Sequence, residues 1–342
     1  MKLKMMKNKI IILLYFCFLY SINQHTDRII DLVMSNDKSM YVSAGKDNQV
    51  IIWNSNDNKI INYYKFDASR LGISQVALSY NNKLLCVGFK DGTIDIINID
   101  SNKSKSLFNR DNNKINLLKF IKNKYLVSYK DLDKSIKFWD YENMDFLYDF
   151  TPSESKITNA IINSNQNNIL LQLSSKRFSR LDLEDVQEIV YSNAATGHKS
   201  YKEEISLIDF NADRSKILDS PSSSIWKYKP IDYYKYDISP DGSKIAIITN
   251  ENNAIIWNSN FYEDEIKLNA NCKRVNDIEF SNNGQFFAIA TIDKKVKVWS
   301  IYNRKLVLEK TIPNNWVTKL IFDNNQIICG TFTGEIIILS LD

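Results

Sequence analysis

The side chains able to do chemistry are few, and their spacing argues against most of the chemistry they could do. The 342 residues include two His (His25, His198) and four Cys (Cys17, Cys86, Cys272, Cys329). Catalysis needs a nucleophile beside a base, a metal set, or paired carboxylates in a cleft. Two His cannot build a histidine-rich metal centre, and no two Cys stand at metal-binding spacing. There is no glycine-rich phosphate loop and no Gly-x-Ser-x-Gly elbow. The acidic pairs Glu203-Glu204 and Glu263-Asp264 lie in polar loops and read as solvated surface. No catalytic residue, cofactor or metal is therefore expected.

Two patterned sets remain. In one, an Asp precedes a large apolar side chain by six residues: Asp47 and Trp53, Asp91 and Ile97, Asp133 and Trp139, Asp293 and Trp299. An Asp at a tight turn accepts backbone N–H groups that the turn leaves unpaired, which is a structural role. In the other, the residues ahead of successive strands are Arg28, Gly72, Lys114, Lys156, Glu204, Asp232, Arg274 and Trp316. Their signs are segregated. Arg274, Arg28, Lys114 and Lys156 fall on one arc with Trp316 among them, and Glu204 and Asp232 are neighbours on the other. Solvent-exposed rim charge is the ordinary explanation of such a set, but Trp316 follows a polar turn, where a large apolar side chain requires a packing partner or a binding role.

Both sets are positioned by an internal repeat. An apolar-x-x-apolar-x-apolar phrase recurs with its last position at Met34, Leu78, Phe120, Ile162, Phe210, Ile238, Phe280 and Phe322. A spacing near forty means units that cannot bury their faces alone and must stack on their neighbours. Residues 29 to 54 show the plan. Ile29, Leu32 and Met34 open a first strand, Asn36-Asp37-Lys38 is a turn, residues 40 to 43 are a second strand, residues 45 to 48 a tight turn, and residues 50 to 53 a third strand. Residues 275 to 300 repeat it, with Val296 and Val298 alternating at the period of a half-buried strand. No segment keeps a helical apolar period. The unit ending at Phe210 departs most, with a long step into it and a short one out. It predicts a blade with a missing or stunted outer strand, and residues 192 to 202 as a long loop with His198 on its surface.

The chain resembles the WD-repeat family of β-propellers. The residues that carry the resemblance are Ser43-Ala44-Gly45-Lys46-Asp47 with Trp53-Asn54, Asp133 with Trp139-Asp140, Ser239-Pro240-Asp241-Gly242 with Trp257-Asn258, and Asp293 with Trp299-Ser300. The resemblance covers roughly residues 25 to 342 and implies an all-β propeller. Eight units are counted in register, with seven blades the alternative from family precedent. It also implies a His that bonds the turn Asp and a second-strand Ser, which reaches the Trp. Only the first unit holds the full set, His25, Ser43, Asp47 and Trp53. Family members commonly bind partners through one face, so the resemblance points to Arg28, Lys114, Lys156, Arg274 and Trp316 as partner-binding residues. An enzyme or small-ligand binder on this fold would need ionisable groups converging in the central channel, and the starts of the first strands offer mostly Ile, Val and Tyr.

The amino terminus reads separately. Residues 1 to 9 carry four Lys and no acid, and residues 10 to 20 are an unbroken apolar run, too short for a bilayer span and suited to the core of a secretory signal. The expectation is a signal peptide over residues 1–23 ahead of a propeller over residues 24–342, exported to a periplasmic, secreted or lumenal space. The competing reading makes residues 15 to 23 the outer strand that closes the ring, in an uncleaved cytoplasmic scaffold. The formal net charge of +4 owes its sign to those four Lys, so the remainder is near neutral. That leaves no electrostatic case for nucleic acid or for anionic lipid. Cys86 and Cys329 fall at equivalent second-strand positions as buried small hydrophobes, and three Cys beyond residue 23 with no close pair make no disulfide framework. The sequon at Asn102-Lys103-Ser104 is of a kind that arises by chance in an Asn-rich chain. The function expected is a non-catalytic protein-interaction platform with an unknown protein partner on the propeller face. The alternative is a propeller enzyme or small-ligand binder using the channel.

Overall fold

Each apolar phrase but one becomes the innermost strand of a four-stranded antiparallel sheet. The computed structural model describes residues 21–23, 25–107, 110–121, 125–131, 133–140, 145–151, 157–163, 165–166, 168–173, 178–182, 208–209, 233–249, 251–258, 265–271 and 273–341. Among these residues there are seven four-stranded sheets and one short helical turn, Ala68–Arg70. In the first sheet Ile29–Met34, Met40–Gly45, Gln49–Asn54 and Ile60–Lys65 lie side by side in chain order. The innermost strands of the second to seventh sheets are Ile73–Leu78, Ile115–Ile121, Ile157–Ile162, Tyr233–Ile238, Val275–Phe280 and Val317–Asp323. No helix among the described residues is long and apolar enough to cross a membrane.

The unit ending at Phe210 heads no sheet of its own among the described residues. Ile208–Asp209 instead pairs with Phe178–Asp182 as a two-residue outer strand of the fourth sheet. Across the next junction the innermost strands of the fourth and fifth sheets are in contact, and Asn163 Nδ2 donates to the Pro240 carbonyl at 2.6 Å. Seven sheets are present among the described residues, and the short outer strand falls on the fourth. The rest of that unit, the loop carrying His198, and the acidic pairs Glu203-Glu204 and Glu263-Asp264 lie outside the described residues.

Four of the first-to-second strand turns share one hydrogen-bond pattern. Ser35, Ser79, Ser239 and Ser281 each donate to the Asp or Asn two residues on, at 2.8, 2.8, 2.6 and 2.7 Å. Each hydroxyl oxygen also accepts the N–H five residues on, from Met40, Leu84, Lys244 and Phe286. The turn then needs a left-handed residue, which is Lys38, Asn82, Gly242 or Gly284.

Burial is shared between sheets. Val42, Ala44, Val50 and Ile52 of the first sheet pack on Val76, Leu78, Leu85, Val87 and Phe89 of the second. At the closing junction Ile29, Leu32, Tyr41 and Trp53 meet Ile321, Ile328 and Ile336 of the seventh. The approach is close enough to exclude a methyl group. A Cβ on Gly330 would lie 2.5 Å from Ile29 Cγ2, and one on Gly88 would lie 2.9 Å from Ile115 Cγ2.

The seventh sheet is completed from the other end of the chain. Val317–Asp323, Gln326–Thr331 and Glu335–Ser340 are joined by Ser21–Asn23, with Ser21 opposite Ile337 and Asn23 opposite Glu335. The leader reading and the ring-closing reading of the amino terminus therefore meet at these three residues. Residues 1–20 lie outside the described residues.

Gly330→Ala should destabilise the protein by about 1–3 kcal/mol through overpacking against Ile29. Chemical denaturation checks it, and a variant as stable as wild type would mean that the closing junction is looser than its geometry.

Candidate partner-binding face and central channel

The best-developed side-chain network is structural and belongs to the first sheet. His25 is buried, with Nδ1 3.1 Å from both Asp47 carboxylate oxygens and Nε2 2.8 Å from Ser43 Oγ. The carboxylate fixes the tautomer: Nδ1–H donates to Asp47 and Ser43 donates to Nε2. Ser43 Oγ also accepts from Trp53 Nε1–H at 2.8 Å. Asp47 takes the N–H groups of Thr26 and Gln49 as well. Burial opposes its charge, yet these hydrogen bonds hold its carboxyl below the usual range. Every polar atom of His25 is thereby engaged in holding the turn.

The other sheets keep fragments of this network. Ser128 Oγ accepts from Trp139 Nε1–H at 3.0 Å, and Asp133 pairs with Lys137 at 2.9 Å. Asp91 accepts the N–H and hydroxyl of Thr93 and pairs with Arg110 at 3.1 Å. Trp257 packs on the Ile238 and Ile245 cluster of the fifth sheet. Trp299 is buried opposite Phe287, but Asp293, expected to accept turn N–H groups, has its Oδ1 buried without a hydrogen-bond partner among the described residues, and Lys295 beside it is held charged chiefly by Glu309. Cys86 and Cys329 are buried free thiols at equivalent registers, and burial pushes both well above the ordinary thiol range. Thiols so held are poor nucleophiles. Cys272 lies outside the described residues. Among the described residues no group of three His, Cys, Asp or Glu suited to a metal occurs.

The strand-start residues do form a rim. Arg28, Lys114 and Arg274 are exposed immediately ahead of the first, third and sixth innermost strands, while Trp316 is half-buried ahead of the seventh. Lys156, Glu204 and Asp232 lie outside the described residues. The carbonyl of each described rim residue accepts an N–H from the residue after its sheet's second strand. Lys46 donates to Arg28 at 2.9 Å, Lys90 to Gly72 at 3.0 Å, Asp131 to Lys114 at 2.7 Å, Ile292 to Arg274 at 2.9 Å and Phe332 to Trp316 at 3.0 Å. The rim is therefore a ring of residue pairs. Sequence reasoning found the first member of each and missed the second, although the residue following each second strand is as periodic as the one preceding each first.

These second members change the character of the arc. Lys46 and Lys90 add positive charge beside Arg28 and Lys114, with Lys46 3.7 Å from Asp27. The packing partner of Trp316 is Phe332, with ring centroids 4.4 Å apart and an interplanar angle of 31°. Phe332 stays 40% exposed and Ile292 44%. Five consecutive sheets, from the sixth round to the third, thus present Arg274 with Ile292, Trp316 with Phe332, Arg28 with Lys46, Gly72 with Lys90, and Lys114 with Asp131. The surface is basic with an aromatic centre.

The channel differs from its expected lining. In every sheet the pairing register shifts between the first and third residues of the innermost strand, as between Ile29 and Asp31 or Val275 and Asp277. This bulge turns the described aliphatic starts (Ile29, Ile73, Ile115, Ile157, Val275, Val317) into the core between sheets, where all are buried. The third and fifth residues face a cavity of about 560 Å³. At the third position stand Asp31, Gln75, Leu117, Asn159, Lys235, Asp277 and Lys319, and at the fifth Val33, Ala77, Lys119, Ile161, Asp237, Glu279 and Ile321. Ionisable groups do converge here, and the aliphatic starts point elsewhere.

Most of these charges hold sheets together. Asp31 accepts the N–H of Val76 in the second sheet at 2.9 Å, Asp277 that of Leu320 in the seventh at 2.9 Å, and Asp237 that of Phe280 in the sixth at 2.8 Å. Asp277 lies 3.7 Å from Lys235 and 3.6 Å from Lys319. Burial pushes Asp237 up to about 7 against its two backbone donors. Burial and the Asp237 and Asp277 charges push Glu279 well above the carboxylate range, with Lys119 and Lys319 opposing.

Two family models match the chain. The model of the anaphase-promoting complex subunit 4 WD40 domain matches residues 32–123, and that of the WD domain, G-beta repeat, matches residues 264–300. No curated protein matches it.

A carboxyl raised in the folded state stabilises most below its unfolded value and loses that contribution as pH climbs through its folded value. Glu279→Gln should therefore gain melting temperature over wild type as pH rises from about 4 to about 8, by about 2 °C. Thermal denaturation across that range checks it, and a difference that does not grow with pH would show that Glu279 titrates normally.

Proposed function

The chain is a WD-repeat β-propeller, and we propose that it is a non-catalytic platform for protein–protein interaction whose partner docks on the face bearing Arg274, Trp316 and Arg28. One observation carries this reading: the stacked, partly exposed Trp316–Phe332 pair lies between Arg274 and Arg28 on neighbouring sheets. Trp and Arg are the types most enriched where interfaces concentrate their binding energy. The flanking charges of Lys46, Lys90 and Lys114 select a partner with an acidic surface and speed its approach. A near-neutral propeller with one basic arc suits this better than the extended positive surface that nucleic acid demands.

His25 is committed to Asp47 and Ser43 and serves the turn. The model matched over residues 32–123 is that of a subunit of the anaphase-promoting complex, which supports work within a protein assembly. The basic and then apolar amino terminus supports export as part of the same reading. Because Ser21–Asn23 pairs with Glu335–Ser340, cleavage that preserves this strand falls before Ser21.

Arg274→Ala with Trp316→Ala should cost about 2 kcal/mol or more of partner affinity. Tagged wild-type and variant chains recovered from native cells check this by quantitative mass spectrometry, and an identical partner set overturns the docking face. The intact mass of the native protein should show a chain lacking the apolar run but retaining Ser21–Asn23, recovered outside the cytosol. A full-length cytosolic chain overturns export and leaves the platform reading standing.

A further inference from the structure

The channel contains two charges that the fold leaves incomplete, and they stand on opposite walls. Glu279 faces the channel from the sixth sheet and makes no hydrogen bond or ion pair among the described residues. Its neighbour Asp237 differs, with one carboxylate oxygen on Ile238 N–H and the other on Phe280 N–H. Lys119, on the third sheet, makes one long hydrogen bond, 3.3 Å to the Ile162 carbonyl, and has two further N–H donors. The third and sixth sheets are three apart in the described ring, the greatest separation seven sheets allow. No ion pair spans the gap. The level nearer the strand starts is settled by contrast, with Asp277 between Lys235 and Lys319 and Asp31 held on backbone N–H groups.

A half-buried carboxyl group without a donor, facing an ammonium with spare donors across a cavity, suits a molecule bearing both complementary charges. The other residues at that level are Val33, Ala77, Ile161 and Ile321, which line the gap with hydrocarbon. A cavity of about 560 Å³ lies within the range of small-molecule sites. We propose that the channel binds a small linear zwitterion of the ω-amino acid class, its ammonium on Glu279, its carboxylate on Lys119 and its methylenes against the aliphatic residues between them. A dication would meet Lys119 unfavourably, and a dianion would meet Glu279 and Asp237. This site is independent of the rim.

The test is calorimetric titration of the full chain with glycine, β-alanine, 4-aminobutyrate and 6-aminohexanoate. Butylamine and butyrate serve as probes carrying one charge each. Because the two walls hold a fixed separation, one chain length should bind about tenfold more tightly than the shortest member, and each single-charge probe should lose about tenfold or more. Glu279→Gln and Lys119→Met should each weaken the best ligand about tenfold or more. The first of these is expected to be at least as stable as wild type at neutral pH, so its loss of binding is not unfolding. Arg274→Ala with Trp316→Ala should bind the same ligand unchanged. No saturable heat with any member, as for a channel that holds only water, overturns the proposal. So does binding that survives both channel variants or is lost in the rim variant.

Discussion

The structure depends on one constraint: a four-stranded antiparallel sheet with two apolar faces cannot bury either of them alone. Among the described residues each sheet packs on its neighbours, and the first and seventh are neighbours, so the arrangement is a ring. At two junctions the fit is set by a glycine on one side and an isoleucine on the other, where Gly330 admits Ile29 and Gly88 admits Ile115. Trp53, with no exposed surface, fills the same closing junction and is held there by Ser43. The strand Ser21–Asn23 joins the two chain ends into one sheet, so closing the ring couples residues more than three hundred apart in sequence.

The bulge in every innermost strand follows from this packing and has consequences for everything inside the ring. A side chain at a strand start would otherwise share its face with the third and fifth residues. The register shift sends it between sheets and leaves the third and fifth positions to the channel. Polar groups there are not idle. Asp31, Asp237 and Asp277 each cross a junction to take a backbone N–H of the following sheet, fixing its rotation and height. Removing carboxylates from water is costly unless their lone pairs are used, and these three use theirs. Glu279 is the member of that company whose lone pairs are not.

The polar networks are therefore divided by position. At the turns, side-chain hydrogen bonds join His25, Ser43, Asp47 and Trp53 in the first sheet, Ser128 with Trp139 in the third, and Thr93 with Asp91 in the second, while Asp293 Oδ1 of the sixth is buried without a hydrogen-bond partner among the described residues. Where the sixth and seventh sheets lack a Ser–Trp pair, Thr291 and Thr331 bond both the N–H and the C=O of the residue four on, and close the turn locally. On the rim the backbone pairing of Arg28 with Lys46 or Trp316 with Phe332 uses only main-chain groups, and the Arg28 and Arg274 side chains stay exposed.

The fold class, the strand order within a unit and the turn chemistry were legible in the sequence because they are local. A period-two alternation, a Ser and Asp two apart, and an Asp six residues before a Trp each report on contacts within one unit. The rim was legible for the same reason, though only the residues ahead of the first strands were recognised. Three things were decided by tertiary structure alone. The repeat unit around Phe210 yields, among the described residues, an outer strand of the fourth sheet, because strand pairing rather than apolar phrasing assigns a segment to its sheet. The channel lining depends on a bulge that no residue type announces, so Asp31, Lys119, Lys235, Asp237, Asp277, Glu279 and Lys319 were invisible as a set when read from the strand starts. The pairing of Trp316 with Phe332 joins the residue before one strand to the residue after its antiparallel neighbour, and only that register brings them within van der Waals reach.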